Sequence, residues 1–245
     1  MKLSIIIPVK DEVRLIERAI GDVVREFSTL ESLGCRDIEL IVVDDGSVDG
    51  TTERLRLLRH TYPMIVVTRK QNGGKGRAVR DGLQAATGDL VVITDADNEY
   101  PATNLARVVQ PLLDGRSDVV YGSRYLNGGR SGTFDSRGHR LLNMLLCLAT
   151  GFRLRLTDVE TANKAFRREL LRGIRLHRRT YTFELEVTLK LYSRGASFLE
   201  VPVSYTRRRV TEGKKARVLR DGSKALLTIA MYTPGAVVRR AMARA

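Results

Sequence analysis

Short apolar runs rich in valine and isoleucine alternate with helical patterns through the first half of this chain of 245 residues. The pattern predicts strands at Leu3–Val9, Ile38–Val43, Met64–Thr68, Leu90–Thr94 and Asp118–Tyr121, and helices at Val13–Leu33, Gly50–His60, Lys75–Ala86 and Thr103–Leu113. Strands without polar alternation are buried on both faces, and a helix between successive strands makes them parallel. The alternation therefore predicts an α/β fold with a mostly parallel central sheet and helices on both faces.

The two halves of the chain differ in charge, although no linker divides residues 1–245 into separate domains. Residues 1–103 carry 14 lysines and arginines against 17 acidic residues, whereas residues 104–245 carry 28 against 11. This asymmetry indicates a metal and nucleotide site that faces an anionic partner, either phosphate, anionic lipid headgroups or nucleic acid. Nucleic acid is disfavoured because the basic residues are not interleaved with stacking aromatics, which make up 6% of the chain.

The sequence contains no apolar stretch approaching the ~20 residues of a spanning helix. The run Leu3–Val9 is too short for a leader, and Cys35 and Cys147 form no disulfide framework, which suits a reducing compartment. We therefore expect a cytoplasmic protein that contacts the membrane only peripherally. The apolar segment Leu141–Thr150 fits either an amphipathic helix at the headgroups or an ordinary buried helix. A late strand at Phe198–Tyr205 and a terminal helix from Gly222 are also predicted.

Two aspartates follow the fourth predicted strand directly. The strand Leu90–Thr94 delivers Asp95 and Asp97 to its carboxyl end, where open α/β sheets bind their ligands. Carboxylates spaced in this way can share one hard cation, Mg²⁺ or Mn²⁺, which in turn grips a diphosphate. An acidic turn that only caps a helix is the structural alternative.

Polar loops follow the second and third predicted strands as well. Asp44 and Asp45 can accept hydrogen bonds from a nucleobase or from ribose hydroxyls, or they can simply hold a turn before a helix. The loop Asn72–Arg77 lacks the Ser/Thr and the upstream glycine of a Walker A loop. Lys75 in this loop is either directed at a diphosphate or solvated.

The strand start Ile5–Glu12, the acidic turn Val42–Thr51, the loop Asn72–Arg77 and the Asp95–Asp97 pair occur in this order. Together they resemble the family 2 glycosyltransferases of the GT-A fold, which is Rossmann-like. Later segments resemble, within that family, the dolichol- and polyprenyl-phosphate mannose or glucose synthases. These segments are Gly122–Arg124, Asp158–Phe166, Phe183–Glu186 and Val201–Tyr205, followed by Arg208 and Glu212–Lys214.

The resemblance implies a role for particular residues. Residues 1–103 would bind nucleotide and metal, and residues 104–245, with the C-terminal helix, would form the basic acceptor-binding half. The implied donor-site residues are Pro8, Glu12, Asp44, Asp45, Lys75, Asp95 and Ala96. The implied metal ligands are Asp95, Asp97 and Glu99, for Mg²⁺ or Mn²⁺. The implied catalytic residues are Asp97, Arg124, which would meet phosphate near the acceptor, and Arg208 and Lys214, which would close over the diphosphate.

The function expected from this resemblance is inverting transfer of mannose or glucose from GDP-mannose or UDP-glucose to a polyprenyl phosphate at the cytoplasmic membrane face. A lipid monophosphate is already ionised and needs no general base. A related enzyme with a hydroxyl acceptor is the alternative, and it would need a base such as Asp158 or Glu160. A nucleic-acid-binding protein is the alternative from a different class. The sequence leaves open whether a separate subunit anchors the protein to the membrane.

Overall fold

A computed structural model describes residues 1–126, 134–180, 182–207 and 218–242. Its described strands all belong to one sheet. They are β1 (Lys2–Val9), β2 (Asp37–Asp44), β3 (Met64–Thr68), β4 (Leu90–Ile93), β5 (Val119–Ser123), β6 (Lys164–Arg167) and β7 (Phe198–Pro202). The helices are α1 (Ile16–Arg25), α2 (Phe27–Ser32), α3 (Thr51–Leu58), α4 (Lys75–Ala85), α5 (Asn104–Leu113), α6 (Phe134–Ala149), α7 (Phe183–Ser193) and α8 (Val218–Met242), with a 3₁₀ turn at Arg168–Leu171.

The sheet has the strand order β3-β2-β1-β4-β6-β5-β7, and only β6 runs antiparallel to its neighbours. Successive β1 side chains enter different cores: Ile5 and Ile7 pack in one buried cluster with α1 and α5, and Ile6 packs in the other with α4 and α7. Both faces of β1 are apolar because both are covered by helices. The predicted α/β fold with a mostly parallel sheet and helices on both faces is confirmed.

Some element boundaries differ from the sequence prediction. The single helix predicted at Val13–Leu33 is two helices, because the Glu26 amide donates to the Val23 carbonyl at 3.1 Å and ends α1. The strand predicted at Phe198–Tyr205 ends at Pro202, and the terminal helix begins at Val218 rather than Gly222. No helix in the described ranges combines the length and the apolar character needed to cross a membrane.

The connections place the polar loops together. Strand β1 pairs with β2 on one side and with β4 on the other, so the chain order reverses at β1. In open α/β sheets the crevice beyond the carboxyl ends at such a reversal is where ligands bind. The loops that follow β1, β2 and β4 all open into this crevice.

Candidate active site

Asp95 and Asp97 lie just beyond the carboxyl end of β4. The Thr94 amide donates to the Ile6 carbonyl at 3.1 Å, which continues the ladder with β1 up to the aspartates. The Asp97 carboxylate accepts the Glu99 amide at 3.0 Å, and Asn98 between them takes a left-handed φ of 59°. This tight turn fixes the Asp97 carboxylate, which lies close enough to Asp95 to feel its charge.

The electrostatics of the pair favour a cation. Burial, followed by the negative charge of Asp95, raises the pKa of Asp97 from 3.8 to about 7. Two carboxylates that resist joint ionisation are stabilised by a shared positive charge. Oxygen donors of this kind are the ligands preferred by Mg²⁺ and Mn²⁺, so the residues present fit a divalent ion.

Lys75 already provides a positive charge at this position. Its ammonium lies 2.9 Å from Oδ1 and 3.0 Å from Oδ2 of Asp95. Lys75 is the first residue of α4, and its side chain is only 15% exposed. The lysine is therefore directed into the crevice at the aspartate pair and is not a solvated side chain.

Glu99, the third predicted metal ligand, is near enough for its charge to raise the pKa of Asp97, but its carboxylate is also bonded to another residue. Its Oε2 accepts the Tyr205 hydroxyl at 2.7 Å, and its carbonyl accepts the Thr206 amide at 2.8 Å. In the part of the chain that the structure describes, no three acidic, histidine or cysteine side chains form a group able to hold a metal. The structure thus places Glu99 near Asp97 without a three-ligand group, and the metal-binding role of Glu99 stays a prediction.

The predicted nucleotide-binding carboxylates of the second loop are both buried and engaged with protein groups. Asp44 accepts the Ser47 amide at 2.9 Å and the Thr52 hydroxyl. Asp45 accepts the amides of Gly73 and Gly74 at 2.8 and 2.7 Å. Asp44 therefore holds its own turn, and Asp45 fixes the glycine loop before α4. Nucleotide binding by these carboxylates stays a prediction.

The remaining predicted donor-site residues are Pro8, Glu12 and Ala96, and their role in nucleotide binding stays a prediction. Pro8 pairs with Val43 near the end of β1. The Glu12 amide donates to the Thr51 hydroxyl at 3.0 Å. Ala96 is 3% exposed and packs in the core, so only its backbone is available to a ligand.

The glycine loop is shaped by protein packing. A methyl group added at Gly74 would lie 2.3 Å from the Arg179 carbonyl oxygen, and one at Gly76 would lie 2.4 Å from that of Arg178. The Gly76 amide donates to the Arg179 carbonyl at 2.9 Å. These two glycines therefore let the basic segment before α7 lie directly against the start of α4.

Arg124 follows β5 and is held by one acidic partner. Its Nε and Nη2 donate to the two Asp158 oxygens at 2.7 and 2.6 Å, and its amide donates to Asp158 Oδ2 at 3.0 Å. The Tyr205 ring lies 5.4 Å from the guanidinium and links it to the Glu99 turn. Arg208 and Lys214, predicted to close over the diphosphate, lie outside the described residues.

The family model for glycosyl transferase family 2 matches residues 4–175, which include the crevice, Lys75 and the aspartate pair. The chain belongs to glycosyltransferase family 2.

Curated relatives extend this similarity over most of the chain. The dolichol-phosphate mannosyltransferase of Pyrococcus furiosus is 28% identical over 87% of this chain and 59% of the relative. The undecaprenyl-phosphate 4-deoxy-4-formamido-L-arabinose transferase of an Enterobacter species is 29% identical over 87% of this chain and 62% of the relative. This glycosyltransferase thus spans about three fifths of the length of both relatives.

Solved structures show the same fold. Glucosyl-3-phosphoglycerate synthase from Mycobacterium tuberculosis, in complex with Mn²⁺, UDP and phosphoglyceric acid, superposes with a TM-score of 0.73. The likeness covers 95% of this chain and 78% of that one at 23% identity. The same enzyme in complex with UDP alone gives 0.72 at 23% identity, over 95% and 80% of the two chains. The predicted GT-A fold is confirmed.

Two charged residues of this glycosyltransferase site were not singled out by the sequence analysis. Glu184 in the first turn of α7 lies 3.3 Å from the Lys75 ammonium and 2.7 Å from that of Lys164. Lys164 lies in β6 and is fully buried. The signal that would have indicated this pair is a lysine directly before the apolar Ala165 and Phe166, together with a glutamate between the apolar Phe183 and Leu185.

Proposed function

We propose that this glycosyltransferase transfers a hexose from a nucleoside-diphosphate sugar to a polyprenyl phosphate, with inversion and with a divalent metal ion. The observation that carries the proposal is the Asp95–Asp97 pair beside Lys75 at the sheet reversal. The names of both relatives specify a dolichol- or undecaprenyl-phosphate, which supports the acceptor class. The donors we expect are GDP-mannose or UDP-glucose.

The reaction requires stabilisation of the leaving diphosphate as negative charge builds on it. A bound Mg²⁺ or Mn²⁺ supplies that stabilisation without proton transfer. Asp95 and Asp97 would hold the ion, and the Lys75 ammonium, within 3.0 Å of Asp95, would contact the diphosphate. Arg208 and Lys214 would add positive charge from the segment that follows Thr206, whose amide is bonded to the Glu99 carbonyl beside the site.

The class of acceptor depends on whether Asp158 or Glu160 is available as a general base. Both carboxylate oxygens of Asp158 accept hydrogen bonds from Arg124, and Glu160 pairs with His139. A carboxylate held on both oxygens by a guanidinium is a poor base, so the contacts of Asp158 disfavour it as the base for a hydroxyl acceptor. A lipid phosphate oxygen is already anionic and attacks directly, so in-line placement would provide most of the rate. One direct displacement inverts the anomeric centre.

Peripheral contact with the cytoplasmic membrane face is supported by an apolar stripe on α6. Leu141, Met144 and Leu148 lie on one face of the helix, and each is about half exposed, at 52%, 52% and 48%. The exposed Arg140 and Arg153 flank this α6 stripe. Apolar side chains between basic ones are typical of a helix lying in the headgroup region of an anionic membrane.

The test is product formation with defined substrates. The protein is incubated with Mg²⁺ or Mn²⁺, a panel of nucleotide-sugars and a short polyprenyl phosphate, and the glycolipid is measured by mass spectrometry. We expect metal-dependent product that Asp97→Ala abolishes and Asp37→Ala, an exposed change at the start of β2, leaves intact. Undiminished turnover of Asp97→Ala in the presence of a chelator would refute the metal-dependent mechanism.

A further inference from the structure

Four charged side chains form a chain of contacts from the crevice into the core. The Lys75 ammonium bridges the Asp95 carboxylate, at 2.9 Å, and Glu184 Oε1, at 3.3 Å. The other Glu184 oxygen, Oε2, lies 2.7 Å from the Lys164 ammonium. Each Glu184 oxygen thus faces one lysine, and the lysine nearer the crevice also holds a residue of the aspartate pair.

Exposure falls steadily along this chain of contacts. The exposed fraction of the side chain is 25% for Asp95, 15% for Lys75, 4% for Glu184 and 1% for Lys164. The inner pair is fixed because a buried charge without a counter-ion is strongly destabilising. Lys75 lies between the two carboxylates and is the more exposed of the two lysines, at 15% against 1%.

The inner lysine has several partners that hold it in place. Besides Glu184, its ammonium donates to the Thr161 carbonyl and lies 4.7 Å from the centre of the Tyr121 ring. Burial lowers the pKa of Lys164, and the Glu184 carboxylate opposes that shift. The position of the Glu184 carboxylate is therefore fixed by Lys164 on the core side, and its other oxygen faces Lys75 on the crevice side.

The backbone brings this carboxylate within reach of Lys75. Gly76 lies so close to α7 that an added methyl group would be 2.7 Å from the Phe183 Cβ atom. The start of α4 and the first turn of α7 therefore touch, and residues 75 and 184 face each other across the contact. Any larger residue at position 76 would separate them.

A metal ion held by Asp95 and Asp97 would compete with Lys75 for the Asp95 carboxylate. An ammonium that contacts both Asp95 oxygens competes with a divalent cation for the same ligand, and the two cations repel each other. Glu184 is the second carboxylate within 3.3 Å of the ammonium. A small movement of Lys75 toward Glu184 would free Asp95 and keep the positive charge beside the diphosphate.

We propose that Glu184 is a positioning residue for Lys75: it receives the ammonium when a divalent cation takes Asp95, and it holds the lysine toward the donor diphosphate. The inference rests on the proposed function, because it requires a cation and a diphosphate at this site. In this role Glu184 acts through Lys75 and not by binding substrate itself.

The test is a double-mutant cycle on binding. GDP and UDP affinities in saturating Mn²⁺ are measured by calorimetry, and Mn²⁺ affinity alone is measured by electron paramagnetic resonance. We compare wild type, Glu184→Gln, Lys75→Met and the double variant. Loss of one charge-assisted contact predicts about tenfold weaker diphosphate binding for each single variant. Because Glu184 acts through Lys75, the double variant should bind the diphosphate no more weakly than Lys75→Met.

The affinity for Mn²⁺ without nucleotide should change in opposite directions in the two single variants. Lys75→Met should bind Mn²⁺ more tightly than wild type because the competing ammonium is gone. Glu184→Gln should bind it more weakly, because Lys75 then stays on Asp95, and this weakening should vanish when Lys75 is already Met. A Glu184→Gln effect of the same size in both backgrounds would show a plain charge effect and overturn the proposal.

Folding and specificity have their own controls. Should Glu184→Gln unfold, Glu184→Gln/Lys164→Met removes both buried charges and should show the same binding defects. Glu169→Gln removes an exposed carboxylate that follows Arg167, whose partner Leu90 lies at the opposite end of β4 from the aspartates, and should bind diphosphate within twofold of wild type. Equal weakening in Glu169→Gln would overturn the proposal. Absence of any diphosphate binding by wild type would instead refute the proposed function, whereas tight binding by both wild type and Glu184→Gln would refute only the positioning role.

Discussion

Arg124 and Asp158 are joined by two parallel side-chain hydrogen bonds of 2.7 and 2.6 Å, and the Asp158 side chain is completely buried. Asp158 is itself fixed, because its amide donates to Glu200 Oε1 at 2.9 Å. This forked geometry locks the guanidinium plane. Arg124, predicted to meet the acceptor phosphate, therefore takes its orientation from Asp158.

Asp158→Asn should destabilise the protein strongly. The change leaves the Arg124 cation, whose side chain is 15% exposed, without its counter-ion. Breaking a buried pair costs about 3–5 kcal/mol, which lowers the melting temperature by on the order of 10 °C. Thermal unfolding measures this loss. We also expect lower activity per folded molecule, because Arg124 is no longer held in its orientation.

Asp118→Asn is the matched control for this prediction. Asp118 pairs with Arg167 at 3.7 Å, and its side chain is 38% exposed, so its loss should cost less than about 1 kcal/mol. A stable Asp158→Asn variant that binds donor normally but has no turnover would contradict the structural role. It would favour Asp158 as a base and hence a hydroxyl acceptor.

The fold was predictable because most of its strands contain a run of apolar residues, but strand β6 was not predicted. Strand β6 contains Lys164, and Asn163 precedes it, so the segment lacks the apolar run that marks the other strands. The polar groups of these two residues have partners that are far away in sequence. The Lys164 ammonium lies 2.7 Å from Glu184, and the Asn163 amide donates to the Thr94 hydroxyl at 2.9 Å. No local pattern contains that information, because the compensating groups come from other elements.

Asp97→Asn should stabilise the metal-free protein above neutral pH. The pKa of Asp97 is raised to about 7, so the stability linked to its neutral form is fully present below the ordinary value of 3.8 and is lost as pH rises through 7. Asparagine stays neutral. In a chelator, the melting temperature of the variant should exceed wild type by on the order of a few °C at pH 8 and much less at pH 4.5.

The exposed Asp37→Asn change, at a side chain 61% exposed, should show no such pH dependence. An Asp97→Asn gain that is the same at both pH values would refute the electrostatic explanation. Added Mn²⁺ should reverse the order at pH 8. Wild type gains about 2.7 kcal/mol when the ion is at a hundred times its dissociation constant, whereas the variant should gain little.

Gly76→Ala should destabilise the protein although alanine favours helices. The added methyl group would lie 2.4 Å from the Arg178 carbonyl oxygen and 2.7 Å from Phe183 Cβ. Backbone must shift to relieve such contacts, at a cost of about 1–3 kcal/mol in the free energy of unfolding. Chemical denaturation measures this cost, and weaker nucleotide binding should accompany it because Lys75 is displaced.

Gly138→Ala in α6 is the control with the opposite sign. An added methyl group there meets nothing within 4 Å, so helix propensity alone should stabilise the variant by roughly 0.5–1 kcal/mol. Equal effects of the two substitutions would show that the contact between α4 and the segment before α7 is loose.

The proximity of Asp95 and Asp97 was predictable because both follow the end of one strand. The sequence could not distinguish which polar residues of the loops bind ligand and which hold the loops themselves. Asp45 illustrates the limit, because its oxygens accept two glycine amides that lie 28 and 29 residues further along the chain. Aspartates in turns can either bind a ligand or hold the loop, so the role of each one becomes clear only from its hydrogen-bond partners in the structure.

The α6 stripe should govern binding to anionic vesicles. Leu141 and Leu148 are about half exposed, and removing both apolar side chains takes away surface that would be buried among the headgroups. Leu141→Ser/Leu148→Ser should weaken binding to phosphatidylglycerol vesicles by on the order of tenfold, as measured by co-sedimentation. Leu57→Ser, at a side chain 62% exposed on α3, should bind within twofold of wild type.

Turnover with a water-soluble short-chain acceptor should be unchanged in the double variant, because the stripe contacts membrane and not the reacting groups. Vesicle binding equal to wild type in the double variant would show that α6 does not face the membrane.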